Sequence, residues 1–175
     1  MNPATDTGAS AVPSASAPPS GAASAAVRAL ARRYEQHVDE LVRRMVDQWA
    51  AELPEARLLP DDLRDAERAN TSRESIRAFL RMLQGEPADE ASREQFRRRA
   101  AERAAEGVPL PVLLRTYTIG ARVLFEALRQ EARSDEAAAL TDIAQVLLAG
   151  QDEVIADVAR AYRDELAALG SARRD

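Results

Sequence analysis

The sequence predicts an all-α fold, a single helical bundle of about five main helices, on three observations. Ala, Leu, Arg and Glu, which are good helix formers, dominate the 175 residues. Apolar residues recur every three or four positions over long stretches, which is the spacing of one helix face. No stretch alternates apolar and polar residues convincingly, as a half-buried strand does. With 46% hydrophobic residues, the chain can fill one sizeable core.

One domain between two disordered ends is the predicted organisation. Residues 1–21 are almost entirely Ala, Ser, Pro, Thr and Gly. Such a tail cannot bury enough apolar surface to offset its ordering entropy, so it is predicted to be disordered. The helical domain is expected over residues 22–170, and residues 171–175 are expected to form a second disordered end.

Proline and glycine mark the ends of the first two predicted helices. Apolar residues recur at helical spacing from Ala22 until Pro54 stops the pattern, which predicts one long first helix. Residues 54–60 are interpreted as a connection. The second helix follows this connection and ends at Gly85 and Pro87.

The most apolar helix is predicted over Gly107 to Leu128. Its apolar stripe has steps of three and four residues and consists of Leu110, Leu114, Tyr117, Ala121, Leu124 and Leu128. A helix with so wide an apolar face must be surrounded by other helices, so it is placed at the centre of the core. The helix before it, over residues 88–106, is polar almost all round and is expected to lie outermost. Its thin apolar edge is formed by Phe96, Ala100 and Ala104.

The last helix is long, from Asp135 to Leu169, and Gly150 weakens its middle. Its final part keeps an apolar stripe beyond the length needed to cover the central helix, so these residues are expected to lack an intrachain surface to pack against. We therefore expect a homodimer formed by this part and the first helix, in which a shift of the last helix passes on a signal. The alternative is that the segment folds back over its own bundle. The residues expected at the interface are Tyr34, Leu41, Trp49, Val154 or Ile155, Val158, Tyr162, Leu166 and Leu169.

Composition argues against several functional classes. The chain has no cysteine and a single histidine, so disulfides, thiolate catalysis and imidazole clusters are excluded. A net charge of −5 argues against direct nucleic-acid binding by the domain. No apolar run approaches the ~20 residues of a membrane span. The first residues lack the features of a signal peptide, so we expect a cytoplasmic protein without a membrane partner.

No pattern predicts catalytic residues, a cofactor or a metal site. The adjacent carboxylates Asp61 with Asp62 and Asp152 with Glu153 have no nucleophile or histidine to act with. His37 is expected to be an ordinary residue at the edge of the core, because a haem or metal site would need a second ligand. The protein is therefore expected not to be an enzyme.

Three residues of the central helix form the candidate ligand site. Arg115 and Arg122 lie seven residues apart on one helix face, a geometry that suits a carboxylate or phosphate in a cleft. Tyr117 is a candidate for the wall of a ligand cavity. Two alternatives stay open: the arginines reach acids such as Glu126 or a neighbouring helix, and Tyr117 fills the core with its hydroxyl at the rim.

Direct DNA binding is the alternative function. Residues 96–122 contain a helix, a turn with glycine and a second helix, which is the order of a helix-turn-helix. Against it, the second helix would have to present Ile119 and Val123 to water. The arginines at 97–99 are expected to pair with glutamates at helical spacing on their own helix rather than with phosphates.

The stretch from 98 to 128 resembles a known family. The resemblance rests on the motifs RRAAER at 98–103, EGVPL at 106–110 and LLR at 113–115, followed by Tyr117, Ile119-Gly120 and Arg122. They resemble the helical N-terminal domain of PucR-type bacterial transcription regulators. That domain is similar to the N-terminal domain of the RsbT co-antagonist proteins of the stressosome, a haem-free, globin-like sensor. In helix order the resemblance covers about Val27 to Leu169.

The resemblance implies a non-enzymatic regulatory domain that signals through its long last helix. In PucR-type regulators this domain is followed by a middle region and a C-terminal DNA-binding helix-turn-helix. Because the chain stops at Asp175, this output part is expected to be absent. The expected partner besides a second copy is a regulatory protein or a small-molecule effector. The resemblance supplies no catalytic residues and no cofactor.

Overall fold

The computed structural model describes residues 24–53, 66–86 and 90–172, and these ranges are helical apart from short turns and contain no strand. Short 3₁₀ turns at Glu35–His37 and Ser134–Glu136 precede the second and the last helix. The predicted all-α bundle is confirmed. The helices are α1 (Ala25–Tyr34), α2 (Val38–Glu52), α3 (Ala66–Leu83), α4 (Glu90–Ala105), α5 (Leu110–Glu131) and α6 (Ala137–Ala172).

Some predictions fall at the edges of the described ranges. The predicted tail at 1–21, the connection at 54–60 and the pair Asp61 with Asp62 lie outside the described residues. At the other end, α6 continues through Ala172, past the predicted domain limit at 170. Among the described helices, none combines the length and the apolarity that crossing a membrane requires.

The predicted long first helix is wrong in one respect, because the chain changes its winding at Glu35–His37. A 3₁₀ turn is tighter than an α-helix and is used in short pieces at such junctions. Tyr34 and Val38, on either side of the turn, are both buried. The tighter turn thus connects two helices, α1 and α2, whose apolar faces contribute to one core.

Glycine ends α3 and α4, as the sequence predicts. Gly85 has φ 94° and Gly107 has φ 76°, in the left-handed region that side chains other than glycine rarely adopt. After Gly107 the Val108 amide donates to the Arg103 carbonyl at 3.0 Å, which satisfies a carbonyl that the ended helix leaves open. The two glycines therefore mark the C-terminal ends of α3 and α4.

The core is divided into two hydrophobic clusters. The first cluster is formed by α1, α2, α3, the C-terminal half of α5 and the first part of α6. The second cluster is smaller and is formed by α4, the N-terminal part of α5 and the second half of α6. Since α5 and α6 belong to both clusters, they join the two halves of the bundle.

The central position of α5 is confirmed for its C-terminal half. Leu124, Ala127 and Leu128 are buried, as a helix surrounded by others requires. In the N-terminal half the predicted stripe is less covered, because Tyr117 and Ala121 border a cavity and are only half-buried.

The C-terminal part of α6 does not lack an intrachain partner, so that prediction is wrong. α4 packs along it, and Val158 and Tyr162 are buried in the second cluster. The small buried side chains of Ala100 and Ala104 allow α4 to approach closely. The Tyr162 hydroxyl donates to the Val108 carbonyl at 2.7 Å, which fastens α6 to the turn after α4.

Candidate functional site

A cavity of about 460 Å³ is bordered by residues of both clusters. Helices α2 to α6 all contribute to its wall, so the tertiary arrangement forms it rather than any one helix. Pockets that bind small molecules have volumes of ~300–1,000 Å³. The cavity is therefore the candidate site in the part of the chain that the structure describes.

The wall of this cavity is mainly apolar. The Trp49 indole Nε1 donates to the Thr116 carbonyl at 3.1 Å, which holds the ring against α5. The rings of Phe96 and Tyr117 meet edge to face, with centroids 5.8 Å apart and planes at 71°. The larger apolar side chains in the wall include those of Met45, Trp49, Phe79, Met82, Phe96 and Leu124.

Two glycines in the wall lie beside methionine side chains from neighbouring helices. A Cβ atom on Gly120 of α5 would lie 3.7 Å from Cε of Met45. A Cβ atom on Gly150 of α6 would lie 3.3 Å from Cε of Met82, closer than ordinary contact. Gly150 lies inside an unbroken helix. Its lack of a side chain therefore provides room for Met82 of α3 beside the cavity.

Two hydroxyl groups line the cavity without a hydrogen-bond partner among the described residues. Ser72 is only 6% exposed, and no described group bonds its side chain. The same holds for the Tyr117 hydroxyl. Burial raises the pKa of Tyr117 from its ordinary 10.0 to about 12. Both groups can donate and accept a hydrogen bond.

Several charged groups at the cavity are arranged in pairs. Arg93 Nε and Nη2 donate to Asp157 Oδ2 at 3.0 and 2.7 Å, which ties α4 to α6. The hydrogen bond from Arg93 lowers the pKa of Asp157 against the opposing effect of burial. Arg103 donates to Glu106. These carboxylates are thus held as ion-pair partners of arginines.

One family matches the chain. A family model described as the RsbT co-antagonist protein RsbRD N-terminal domain matches residues 39–175, which is most of the sequence. The chain belongs to this family. No curated protein and no solved structure matches it.

This RsbRD N-terminal domain brings one of the three predicted ligand residues to the cavity. Tyr117 is part of the wall. Arg115 is exposed and lies outside the wall. Arg122 donates to Glu52 of α2, in line with the alternative that it reaches a neighbouring helix. It borders a separate cleft of about 240 Å³.

Sequence reasoning missed two polar residues of the cavity. Ser72 interrupts an apolar pattern in the second helix, which is the only sequence signal that it carries. Asp157 lies on α6 in a segment where acids and arginines alternate, so the sequence pattern does not distinguish it from the other carboxylates of that segment. Only the packing of α4 against α6 distinguishes Asp157, because it buries this carboxylate and brings Arg93 to it.

The single histidine of this RsbRD N-terminal domain, His37, lies at the edge of the core. The ring of His37 is 5.7 Å from that of Tyr34, and its Nδ1 is 3.8 Å from a carboxylate oxygen of Glu40. Within the described ranges no group of three or more His, Cys, Asp or Glu side chains is placed to hold a metal ion.

The segment considered for DNA binding uses much of its surface for intrachain contacts. Ile119 and Val123 of α5 are buried. On α4, Arg97 donates to Glu94 at 2.8 Å, and Arg98 lies 3.8 Å from Glu102. The predicted pairing of these arginines with nearby glutamates is confirmed.

Proposed function

We propose that this RsbRD N-terminal domain is a non-enzymatic regulatory sensor that binds a small effector in the cavity and signals through α6. The cavity is the observation that carries this proposal, since α6 forms part of its wall through Gly150, Gln151 and Val154. Beyond the cavity, α6 extends to Ala172. An effector in the cavity therefore contacts the helix that leads to the C-terminal end of the chain.

The signalling step follows from how the two clusters share helices. A ligand in the cavity contacts residues of both clusters, so it favours the arrangement of α4 and α6 that fits it best. Tyr162 and Asp157 fasten this part of α6 to α4 and to the turn after it. A shift of α4 is thus coupled to the second half of α6.

The family name supports a regulatory role through protein contacts. The matched domain is named after an RsbT co-antagonist, so a regulatory protein partner is one output of this proposal. The other output is an attached effector domain, as in PucR-type transcription regulators. The cytoplasmic location stays a prediction from the sequence.

The non-enzymatic proposal is supported by the chemistry of the cavity wall. Asp157 and Glu106, two of its carboxylates, accept hydrogen bonds from arginines and act as ion-pair partners. General acid or base catalysis would instead require a titratable group held close to a nucleophile or substrate atom.

Hydrogen exchange on a ligand-bound sample tests the signalling route. Compounds are first selected by thermal shift, where a ligand at about 100 times its Kd adds ~2.7 kcal/mol to stability. The bound sample should then exchange more slowly in α4 and at 158–172 of α6. The matched control is Ala121→Phe, which fills the cavity and should abolish both effects. A cavity-bound compound that leaves exchange at 158–172 unchanged would refute signalling through α6.

We also propose that the domain pairs with a second copy through the outer face of α6. Tyr34, Leu41 and Tyr162, which the sequence prediction placed at the interface, are buried in their own chain. The large apolar side chains exposed in the described ranges are Leu148 at 63% and Leu166 at 46%. They lie about five turns apart on one helix face.

Light scattering at micromolar concentration tests this surface. The double variant Leu148→Glu with Leu166→Glu should convert a dimer into a monomer, because it buries charge at the interface. Ala168→Glu, at an exposed position on another face of α6, is the matched control and should remain dimeric. A monomeric wild type, or a dimer that survives the double change, excludes this interface.

A further inference from the structure

We propose that the cavity binds an uncharged, mainly apolar small molecule that carries a hydrogen-bonding group such as a hydroxyl or a carbonyl. This inference rests on the proposed sensor function and names the ligand class for its site. An apolar cavity of roughly 150 Å³ holds one benzene ring. At about 460 Å³, this cavity has room for a molecule of roughly three rings or an equivalent aliphatic skeleton.

The apolar character of the ligand follows from the wall. Side chains such as Trp49, Phe79 and Phe96 present carbon surface to the cavity. Burying apolar ligand surface against them is favourable in proportion to the area removed from water. Met45 and Met82 add flexible thioether side chains, which adapt to the outline of an irregular apolar ligand.

The absence of charge on the ligand follows from the pairing of the charged groups around it. Arg93 is bonded to Asp157, Arg103 to Glu106, and Arg81 lies 3.8 Å from Glu86. A ligand carboxylate or phosphate would have to displace one of these protein carboxylates or remain buried without a partner. Either arrangement makes binding of a charged ligand less favourable, and an uncharged ligand avoids this cost.

The hydrogen-bonding group on the ligand follows from the two hydroxyls. Ser72 is 6% exposed, lines the cavity and has no hydrogen-bond partner among the described residues. A buried polar group without a partner is rare and costly. Tyr117 presents a second hydroxyl to the cavity that has no hydrogen-bond partner among the described residues. A hydroxyl or carbonyl on the ligand would satisfy either group.

Two fluorescent probes with the same aromatic skeleton test the ligand class. N-phenyl-1-naphthylamine is uncharged and has one N–H donor, and 8-anilinonaphthalene-1-sulfonate adds a sulfonate to it. Titration of the full chain should give saturable binding of one uncharged probe per chain. The anionic probe should bind at least about tenfold more weakly, because Arg81, Arg93 and Arg103 at the cavity already have carboxylate partners.

Matched variants locate the bound probe. Ala121→Phe places a large side chain in the wall and should weaken binding of the uncharged probe at least about tenfold, while Ala156→Phe, exposed on α6, should not change it. Ala78→Phe fills the cavity from α3 and serves if Ala121→Phe does not fold. Loss of one hydroxyl, in Ser72→Ala or Tyr117→Phe, should weaken binding about threefold to tenfold.

The outcomes separate the two proposals. Equal or tighter binding of the anionic probe, still sensitive to Ala121→Phe, overturns the uncharged class and leaves the cavity as the sensor site. Unchanged binding in both hydroxyl variants overturns the hydrogen-bonding assignment. If neither probe binds, or if binding is insensitive to both filling variants, the cavity is not a ligand site and the proposed sensor function fails with it.

Discussion

Replacing Asp157 with asparagine tests how strongly α4 is tied to α6. Asp157 is 7% exposed, and its Oδ2 accepts bonds from Arg93 at 3.0 and 2.7 Å. A nitrogen of Arg97 lies 3.6 Å from the same oxygen. Asparagine keeps the shape of the side chain but carries no charge. Both hydrogen bonds therefore lose the strength that an ionised acceptor gives them.

The expected magnitude follows from the exposure of the two partners. Hydrogen bonds to charged groups contribute about 1.5–3 kcal/mol. The Arg93 side chain is 41% exposed, so water solvates its guanidinium in the variant, and the loss should lie near ~1.5–2 kcal/mol. A domain of about 150 residues unfolds with an entropy of about 0.3 kcal/mol/K, so the thermal midpoint should fall by about 5–6 °C.

Thermal denaturation at pH 7 measures the effect. The matched control is Asp152→Asn, which removes an exposed carboxylate from the same helix and should change stability by less than ~0.5 kcal/mol. An Asp157→Asn variant that melts with the wild type would refute the conclusion that this ion pair fastens α4 to α6.

The pH dependence of the stability difference between the wild type and Asp157→Asn tests whether the charge on Asp157 causes it. Hydrogen bonding from Arg93 lowers the pKa of Asp157 below its ordinary 3.8. For a carboxylate with a depressed native pKa, the stabilisation is present above the unfolded pKa and is lost as the pH falls through the native pKa. The difference between the wild type and Asp157→Asn should therefore be full at pH 7 and shrink below pH 3.8.

Three further changes test the core, the cavity and the start of α6. Leu128→Ala empties a fully buried position in α5 and should lower the free energy of unfolding by about 2–5 kcal/mol in urea denaturation. Ser72→Ala should leave that free energy unchanged or raise it, because it removes a buried hydroxyl that has no partner among the described residues; a loss above ~1 kcal/mol would show that the hydroxyl is bonded. Arg33→Ala should raise the pKa of Glu136 from about 2 toward its ordinary 4.5 in an NMR titration, since hydrogen bonds from Arg33 are the largest cause of the depression.

The helices could be predicted because local signals and packing agree. Gly85 and Gly107 end helices where the backbone takes positive φ, and both are visible in the sequence. Leu124 and Leu128 belong to a stripe so wide that only a surrounded helix could cover it. The spacing of the apolar residues predicts which face of a helix is buried. In these helices the neighbouring helices cover that same face.

The partner of the C-terminal part of α6 could not be predicted in the same way. α4 has hardly any apolar periodicity, and its contact surface consists of Ala100 and Ala104 with Phe96. Alanine buries little surface but permits close approach, so a thin edge was enough to cover Val158 and Tyr162. A pattern of large apolar residues does not reveal a contact of this kind.

The cavity could be predicted only in part, because it is a property of the tertiary arrangement. Tyr117 was identified as a candidate wall residue from its place on the central helix. Ser72, Gly150 and Asp157 come to the same wall from α3 and α6, which are distant in sequence. Nothing in the local pattern of each helix specifies the distance between the helices that leaves the space.

The division of the core into two clusters also determines which part of the domain opens most easily. α4 packs mainly on α6 and has few contacts with α3 and α5, and the cluster it belongs to is the smaller one. Local opening costs less free energy than global unfolding where fewer apolar contacts are broken. We therefore expect α4 to open separately from the bundle while α1, α2 and α3 stay folded. The amides of α4 should exchange with solvent faster than those of α2, and under the proposed sensor function the same opening would give a ligand a path into the cavity.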